Sequence, residues 1–432
     1  MKLLLRGGRV VDPATGTDGE FDVLVEGGAI ARVAKSLPSE GADVFEVRPG
    51  WIVTPGLIDI HVHLREPGQE HKETIATGVR AAVAGGFTAV ACMPNTDPVN
   101  DHPGITELIL KRAAAAGLAR VYPIGAVSIG SRGEQLAELG AQAAAGCVAF
   151  TDDGRPVASA LLMRRALEYA SMLGVPIIDH CEDPSLKGDG VAHEGFFAAR
   201  LGLRGIPAAA ESIMVERGVS LAELTGGTFH VAHMSVRQSL RAVRDGKSRG
   251  VNVTCEVAPH HFVLTDESLE SPVRYDTNVK MNPPLREAAD RDAMIEGIAD
   301  GSVDVIATDH APHHSDEKLV EFDRAPFGIV GLETCVPLVF DRLVHTGRIT
   351  VKRAVELLST NPARILRLPG GSLAVGRPAD LTVLAPDAEV HVSAAALASK
   401  SKNTPFDGWS LKGAVAATIV GGKVVFSAGT RG

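Results

Sequence analysis

Residues 57–64 read LIDIHVHL, an apolar run interrupted near its carboxyl end by His61 and His63. In an extended strand, residues i and i+2 lie on one face. Both imidazoles therefore leave the same side of one strand end. Seven further short apolar runs follow: FTAVACM (87–93), VYPIGAV (121–127), CVAFT (147–151), VPIIDH (175–180), TFHVAHM (228–234), VNVTCEV (251–257) and VDVIATD (303–309). Stretches with helical spacing occur at 73–84, 104–116, 134–145, 157–173, 235–246 and 290–300. Eight strand–helix units in series predict an α/β fold, a (β/α)8 TIM barrel over residues 55–367. A doubly wound sheet is the rival. It usually needs fewer strands, and no GxGxxG follows the early ones.

The chain ends have another texture. LLLRGGRVV and FDVLVEGGAIARV near the start, and SLAVGRPADLTVLAP and AATIVGGKVVFSAG near the finish, set β-branched residues around glycine turns. Neither end is long enough for a comfortable core of its own. The two are expected to join in a small β-sandwich module, residues 1–54 plus 368–432.

Composition narrows the function. At 432 residues, 45% hydrophobic and 22% charged, the chain can bury a large core. It has 43 basic and 52 acidic residues, net −9, without a basic cluster, which argues against nucleic acid or an anionic membrane as partner. The opening MKLLLRGGRVVD is too short an apolar run for a secretory signal, and no 18-residue uncharged apolar stretch occurs. Cys92, Cys147, Cys181, Cys255 and Cys335 are scattered with no CxxC, which suits a reducing compartment. A cytoplasmic location is expected.

The chemistry gathers where a barrel keeps its active site, at the carboxyl ends of the strands. Strand one ends in His61 and His63, and strand four runs into Asp152 and Asp153. Strand five ends in Asp179-His180, strand six carries His230 and His233, and strand eight ends in Asp309-His310. A merely structural barrel would place apolar side chains there. Four histidines and two aspartates exceed the needs of one tetrahedral ion and suit a pair of divalent ions sharing a carboxylate. Imidazole and carboxylate ligands favour zinc, with cobalt or manganese compatible. Cys181 alternates away from His180, and His230 away from His233.

Nine stretches together resemble the dihydroorotases of the cyclic amidohydrolase superfamily. They are GLIDIHVHLREPG (56–68), GGFTAVACMPNTDP (85–98), FTDDG (150–154), DHCED (179–183), HVAHMS (230–235), EVAPHHFVLTD (256–266), KMNPPLR (280–286), ATDHAPH (307–313) and APFGIVGLET (325–334). The resemblance implies two Zn2+ ions per chain. His61, His63 and Asp309 would hold one, and His180 and His233 the other, with Asp153 and a hydroxide as bridges. Many superfamily members bridge with a carboxylated lysine. The strand-four motif here contains none, so the chain resembles an aspartate-bridged branch, its second ion more weakly held.

The resemblance further implies reversible hydrolysis of (S)-dihydroorotate to N-carbamoyl-L-aspartate, the ring-closing step of de novo pyrimidine (UMP) biosynthesis. Asp309 would be the general base and acid. Arg65, Asn95, Asn282 and His313 would contact the substrate carboxylate and ring, with His63 and the backbone around Phe327 and Gly328. His313 would also help neutralise substrate charge. Asp152 is expected to cap or support the site, and His230 to pack or support it. His260, His261, His310 and His314 receive no role. The loop at 311–327 is expected to close over substrate.

Two other readings stand beside this one. A dihydropyrimidinase, hydantoinase or allantoinase shares the fold and metals. A non-catalytic barrel would scaffold aspartate carbamoyltransferase. A homodimer, or a complex with that transferase, is compatible with the resemblance, and no surface in the sequence marks either.

Overall fold

A computed structural model describes residues 2–39, 41–270 and 272–429. Its centre is a ring of parallel strands. Leu57–Val62, Phe87–Cys92 and Arg120–Pro123 lie side by side, as do Ile177–Asp179, Phe229–Val231, Val253–Val257 and Val305–Ile306. Phe150 joins the two groups by bridging Gly125 on one side and Ile177 on the other. Val62 pairs with His310 and closes the ring. Every residue of the first two strands is buried, as parallel strands covered on both faces require.

Two expected strands are shorter than their apolar runs. CVAFT contributes only the Phe150 bridges, and VDVIATD only Val305–Ile306. In both, the chain leaves the ladder early to deliver polar ends to the barrel mouth. The helix expected at 134–145 starts at Leu139. The residues before it form a loop in which the Ser128 N–H donates to Asp152 at 3.0 Å. A 17-residue helix, Ala209–Thr225, is one the periodicity reading passed over.

Ile58, Ile60, Ala89, Ala91, Ile124, Ala149, Ile178, Ala232 and Val305 form one buried cluster. Residues from every side of a closed ring can meet only in its interior, so this cluster is the barrel core. Strict alternation from His61 would turn Ile60 outward. The pairing with the second strand slips between Asp59 and Val62, so Ile60 and His61 both serve the inside. Such slips are a common way to re-aim a side chain beside a site.

The two chain ends build a pair of sheets. A four-stranded sheet is ordered Ala29–Ala34, Asp22–Glu26, Lys2–Arg6, Asp43–Glu46. A six-stranded one is ordered Lys423–Ser427, Ser410–Val420, Leu381–His391, Ile52–Pro55, Arg9–Asp12, Thr17–Glu20. Leu5, Val23 and Ile30 from the first sheet pack with Val53, Leu381 and Ile419 from the second. Polar side chains fasten this pair to the barrel. Arg120 holds Asp380 through two bonds of 2.6 and 3.1 Å, and Thr382 Oγ1 donates to Gly86 O at 2.7 Å.

Among the described residues, no helix is long and apolar enough to cross a membrane. The five cysteines are buried and unpaired.

Candidate active site

The predicted side chains meet at one mouth of the ring. Asp309 Oδ1 lies 3.2 Å from His63 Nε2 and 3.5 Å from His61 Nε2. Asp153 Oδ1 lies 3.4 Å from His61 Nε2 and 3.6 Å from His233 Nε2, and its Oδ2 lies 3.5 Å from His63 Nε2. His180 Nδ1 is 2.9 Å from His233 Nε2 and 3.9 Å from Asp153 Oδ1. Ligand atoms about 2.1 Å from a tetrahedral ion stand about 3.4 Å apart. Most of these separations match that spacing, and the His180–His233 pair is tighter. His61 Nε2 and Asp153 Oδ1 are buried without a hydrogen-bond partner, a costly state unless something else takes their lone pairs. His61, His63 and Asp309 form one cluster able to hold an ion; His61, Asp153 and His233 form a second that shares His61, and His180, expected as a ligand of the second ion, stands outside both. The residues present fit a pair of ions.

The backbone helps to place them. Arg65, His233 and Asp309 adopt φ of 62°, 30° and 48°. Of the seven side-chain-bearing residues in this left-handed region among the described ones, these three are at the mouth. Each stands just beyond a barrel strand, where such a kink redirects the chain across the mouth.

The outward nitrogens of three histidines are also held. His61 Nδ1 donates to Glu256 Oε1 at 2.5 Å, His63 Nδ1 to Asn95 Oδ1 at 2.9 Å, and His180 Nε2 to Glu182 Oε2 at 3.3 Å. With an ion bound, each bond would hold the tautomer in which the other nitrogen offers its lone pair inward. Glu256 and Glu182 were missed in the sequence. Glu256 sits on strand seven in a motif read for its histidines. Its Oε2 takes His230 Nε2 at 3.1 Å, and its Oε1 accepts the His233 N–H at 3.2 Å. His230 is thereby occupied away from the centre, with Thr254 on its other nitrogen at 2.7 Å. Asp152 serves the Ser128 turn, as expected of a supporting residue.

Burial opposes ionisation of the carboxyls here, but the neighbouring imidazoles outweigh it. The charge of His61 and the bond to His63 hold Asp309 below its ordinary value. His61 and His233 hold Asp153 well below the usual range, and His61 and His230 do the same for Glu256. Burial lowers Arg65 to about 10, so its guanidinium stays charged at neutral pH. Burial, then the charge of Arg65, push the His313 imidazole far below its ordinary value. His313 is therefore neutral at pH 7. In that state it can hydrogen-bond a substrate.

A cavity of about 310 Å³ opens over the cluster. His63, Arg65, Asn95, Asp153, His180 and His233 line one part of it, and Asn282, Asp309, His313 and Phe327 another. His61 lies beneath this lining, fully buried. Gly328 is outside it, and its N–H donates to Lys280 O at 2.9 Å. Arg65 Nε donates to Pro312 O at 3.2 Å, with a second nitrogen 3.3 Å from His313 Nε2. Asn282 Nδ2 donates to Glu182 Oε2 at 3.2 Å. His260 and His261 are buried behind the site, His310 accepts the Gly331 N–H at 3.2 Å, and His314 caps a short helix at Ser315–Lys318. Larger cavities of about 370, 390 and 460 Å³ contain neither His/Asp cluster.

A (β/α)8 barrel with paired His/Asp clusters at its mouth defines a metal-dependent hydrolase of the amidohydrolase class. Residues 50–239 match the Dihydro-orotase-like family, and residues 309–426 match the Amidohydrolase family. A dihydroorotase of Pelotomaculum thermopropionicum is 55% identical over 98% of both chains. One of Anaeromyxobacter dehalogenans is 56% identical over 99% of this chain and 98% of its own. The chain belongs to the dihydroorotase family. Among solved structures, the L-hydantoinase (dihydropyrimidinase) of Arthrobacter aurescens superposes with a TM-score of 0.86 at 25% identity, covering 98% of this chain and 96% of that one. The D-hydantoinase of a Thermus species gives 0.83 at 27% identity, covering 98% and 95%.

Proposed function

We propose that this protein is a zinc-dependent dihydroorotase, interconverting (S)-dihydroorotate and N-carbamoyl-L-aspartate. The observation that carries the reading is the set of ligand-spaced contacts joining His61, His63, Asp153, His180, His233 and Asp309 beneath a cavity with one buried arginine. His61, His63 and Asp309 would hold one ion, and His180 and His233 the other, with Asp153 between them. When bound, the ions supply Lewis acidity that polarises the ring amide carbonyl and makes water nucleophilic near neutral pH.

The chain's own groups do the rest. Arg65, charged and facing the cavity, pairs with the substrate carboxylate, while the Asn95 amide, anchored by its oxygen on His63, offers its Nδ2. This fixes the ring amide over the acidic cluster. Asp309 is ionised at neutral pH. It accepts the proton of the attacking water and delivers it to the departing ring nitrogen. In ring closure it takes the proton from the ureido nitrogen instead. Neutral His313 and the backbone beside Phe327 complete the contacts with the ring.

The structural neighbours named hydantoinases keep a cyclic-amide rival in view. The full-length relatives at 55–56% identity favour the dihydroorotase reading over it. Turnover of dihydroorotate, hydantoin, dihydrouracil and allantoin, with metal counted per chain, tests the choice. Preference for dihydroorotate is expected. Preference for any of the other three would overturn the proposal, and inactivity of a fully metallated protein would favour a scaffold.

A further inference from the structure

We infer that Asn403 is a positioning residue for the substrate loop; this rests on the dihydroorotase reading. The loop leaves the barrel after Ala311 and returns at Ile329, where the Ala311 N–H donates to Ile329 O at 2.9 Å. Its two legs are pressed together. A Cβ on Gly328 would stand 2.5 Å from Ala311 O and 2.7 Å from His313 Cδ2, so only glycine fits. Asn403 comes from elsewhere in the chain, in the segment before strand Ser410–Val420. It is 4% exposed. Its Nδ2 donates to Ala311 O and to Gly328 O, both at 3.0 Å, so one amide ties the outgoing leg to the returning one. Its Oδ1 accepts the His313 N–H at 3.0 Å. Its own carbonyl takes the Val330 N–H at 2.9 Å.

Two donors and one acceptor are thus all used, and no other side chain of this size supplies that set. Aspartate lacks the donors, and serine has one. The segment is itself anchored to the first barrel loop, because Ser399 Oγ donates to Glu73 at 2.5 Å and Ser401 Oγ to Lys72 O at 2.6 Å. Asn403 touches neither metal ligand cluster. It acts through the backbone of His313 and Gly328, which sets where the imidazole and Phe327 meet substrate.

The test compares wild type with Asn403→Ala in the metal-loaded protein. Wild-type turnover of dihydroorotate is measured first and decides the functional reading alone. Tryptic cleavage at Arg324, which needs no substrate, then reports loop anchoring. Losing three buried bonds should raise cleavage about tenfold or more. KM for dihydroorotate should rise about tenfold, with kcat within about threefold and metal content unchanged. Unchanged cleavage, unchanged KM, or a loss of kcat in step with metal loss would overturn the inference. Should the alanine variant not accumulate, Asn403→Asp keeps the size and the acceptor for His313 but lacks both donors. The same increases in cleavage and KM are expected of it.

Discussion

The barrel mouth and the terminal β module are both buried, by opposite means. In the module, Leu5, Val23, Val53, Leu381 and Ile419 exclude water with apolar surface alone. At the mouth, His61, Glu256, Asp153 and Asp309 are as deeply buried, yet all carry charge or lone pairs. Burial of that kind is costly unless each group has a partner. Glu256 meets this need for His61, and Asn95 for His63, but His61 Nε2 and Asp153 Oδ1 have no bond. The module's side chains are satisfied by one another. The mouth's are completed only by what binds there. The difference separates stability from chemistry, and each can be attacked alone.

The largest effect is expected from Asp309→Asn. It keeps the size and one oxygen but cannot take a proton, so kcat/KM should fall by roughly 10³-fold or more. Steady-state kinetics beside metal analysis checks this, and activity within tenfold of wild type at full metal would remove the proton-transfer role. Leu381→Ala strikes the other region. Leu381 is fully buried, so its truncation should cost about 2–5 kcal/mol of stability. Denaturant titration should register the loss while kcat/KM stays unchanged. A parallel fall in kcat/KM at low denaturant would show that the two regions are not separable.

How far the sequence reached follows the same division. A period of two was enough to send His61 and His63 to one side, and strand ends were enough to mark the neighbourhoods of Asp152 and Asp153, Asp179 and His180, His230 and His233, and Asp309 and His310; the choice among them came from the family resemblance. The glycine-punctuated ends announced a module built from both termini. What stayed hidden depends on register. The slip between Asp59 and Val62 puts adjacent Ile60 and His61 on the inside, against simple alternation. Strand four survives as a single bridging residue, because its polar neighbours are needed at the mouth. Glu256 reads as one more strand residue until the fold sets it 2.5 Å from a histidine 195 positions earlier. Asn403 is the same case at greater distance from any motif. Local pattern reports which face a side chain takes. It does not report which distant backbone will need its hydrogen bonds.

Glu256→Gln tests whether such hidden partners tune the site. The amide can still accept from His61 Nδ1, but its charge is gone and its NH2 confronts His230. Affinity for the bound metal should fall about 10- to 100-fold. Chelator competition measures it, and excess zinc should restore activity. Unchanged metal retention would reduce Glu256 to packing.

The smallest effect sharpens the comparison at the loop. Lys318 is buried, and burial lowers its ammonium to about 7, while its Nζ donates to Thr277 O at 3.0 Å and Pro326 O at 2.8 Å. The unfolded chain holds that proton up to the ordinary lysine range near 10.5. Between these values the unfolded state binds more protons, so stability rises with pH. Lysine's contribution is complete above about 10.5 and is lost as pH falls through about 7. From pH 7 to 8 the gain is about 1 kcal/mol. Lys318→Met removes both hydrogen bonds, a cost that does not vary with pH, together with this titration, which does. Denaturant midpoints at pH 7 and pH 8 should therefore diverge between wild type and variant, with wild type gaining. Parallel midpoints would mean that the loop lysine is solvated in the working protein, and that the loop is less firmly seated than its bonds to Thr277 and Pro326 indicate.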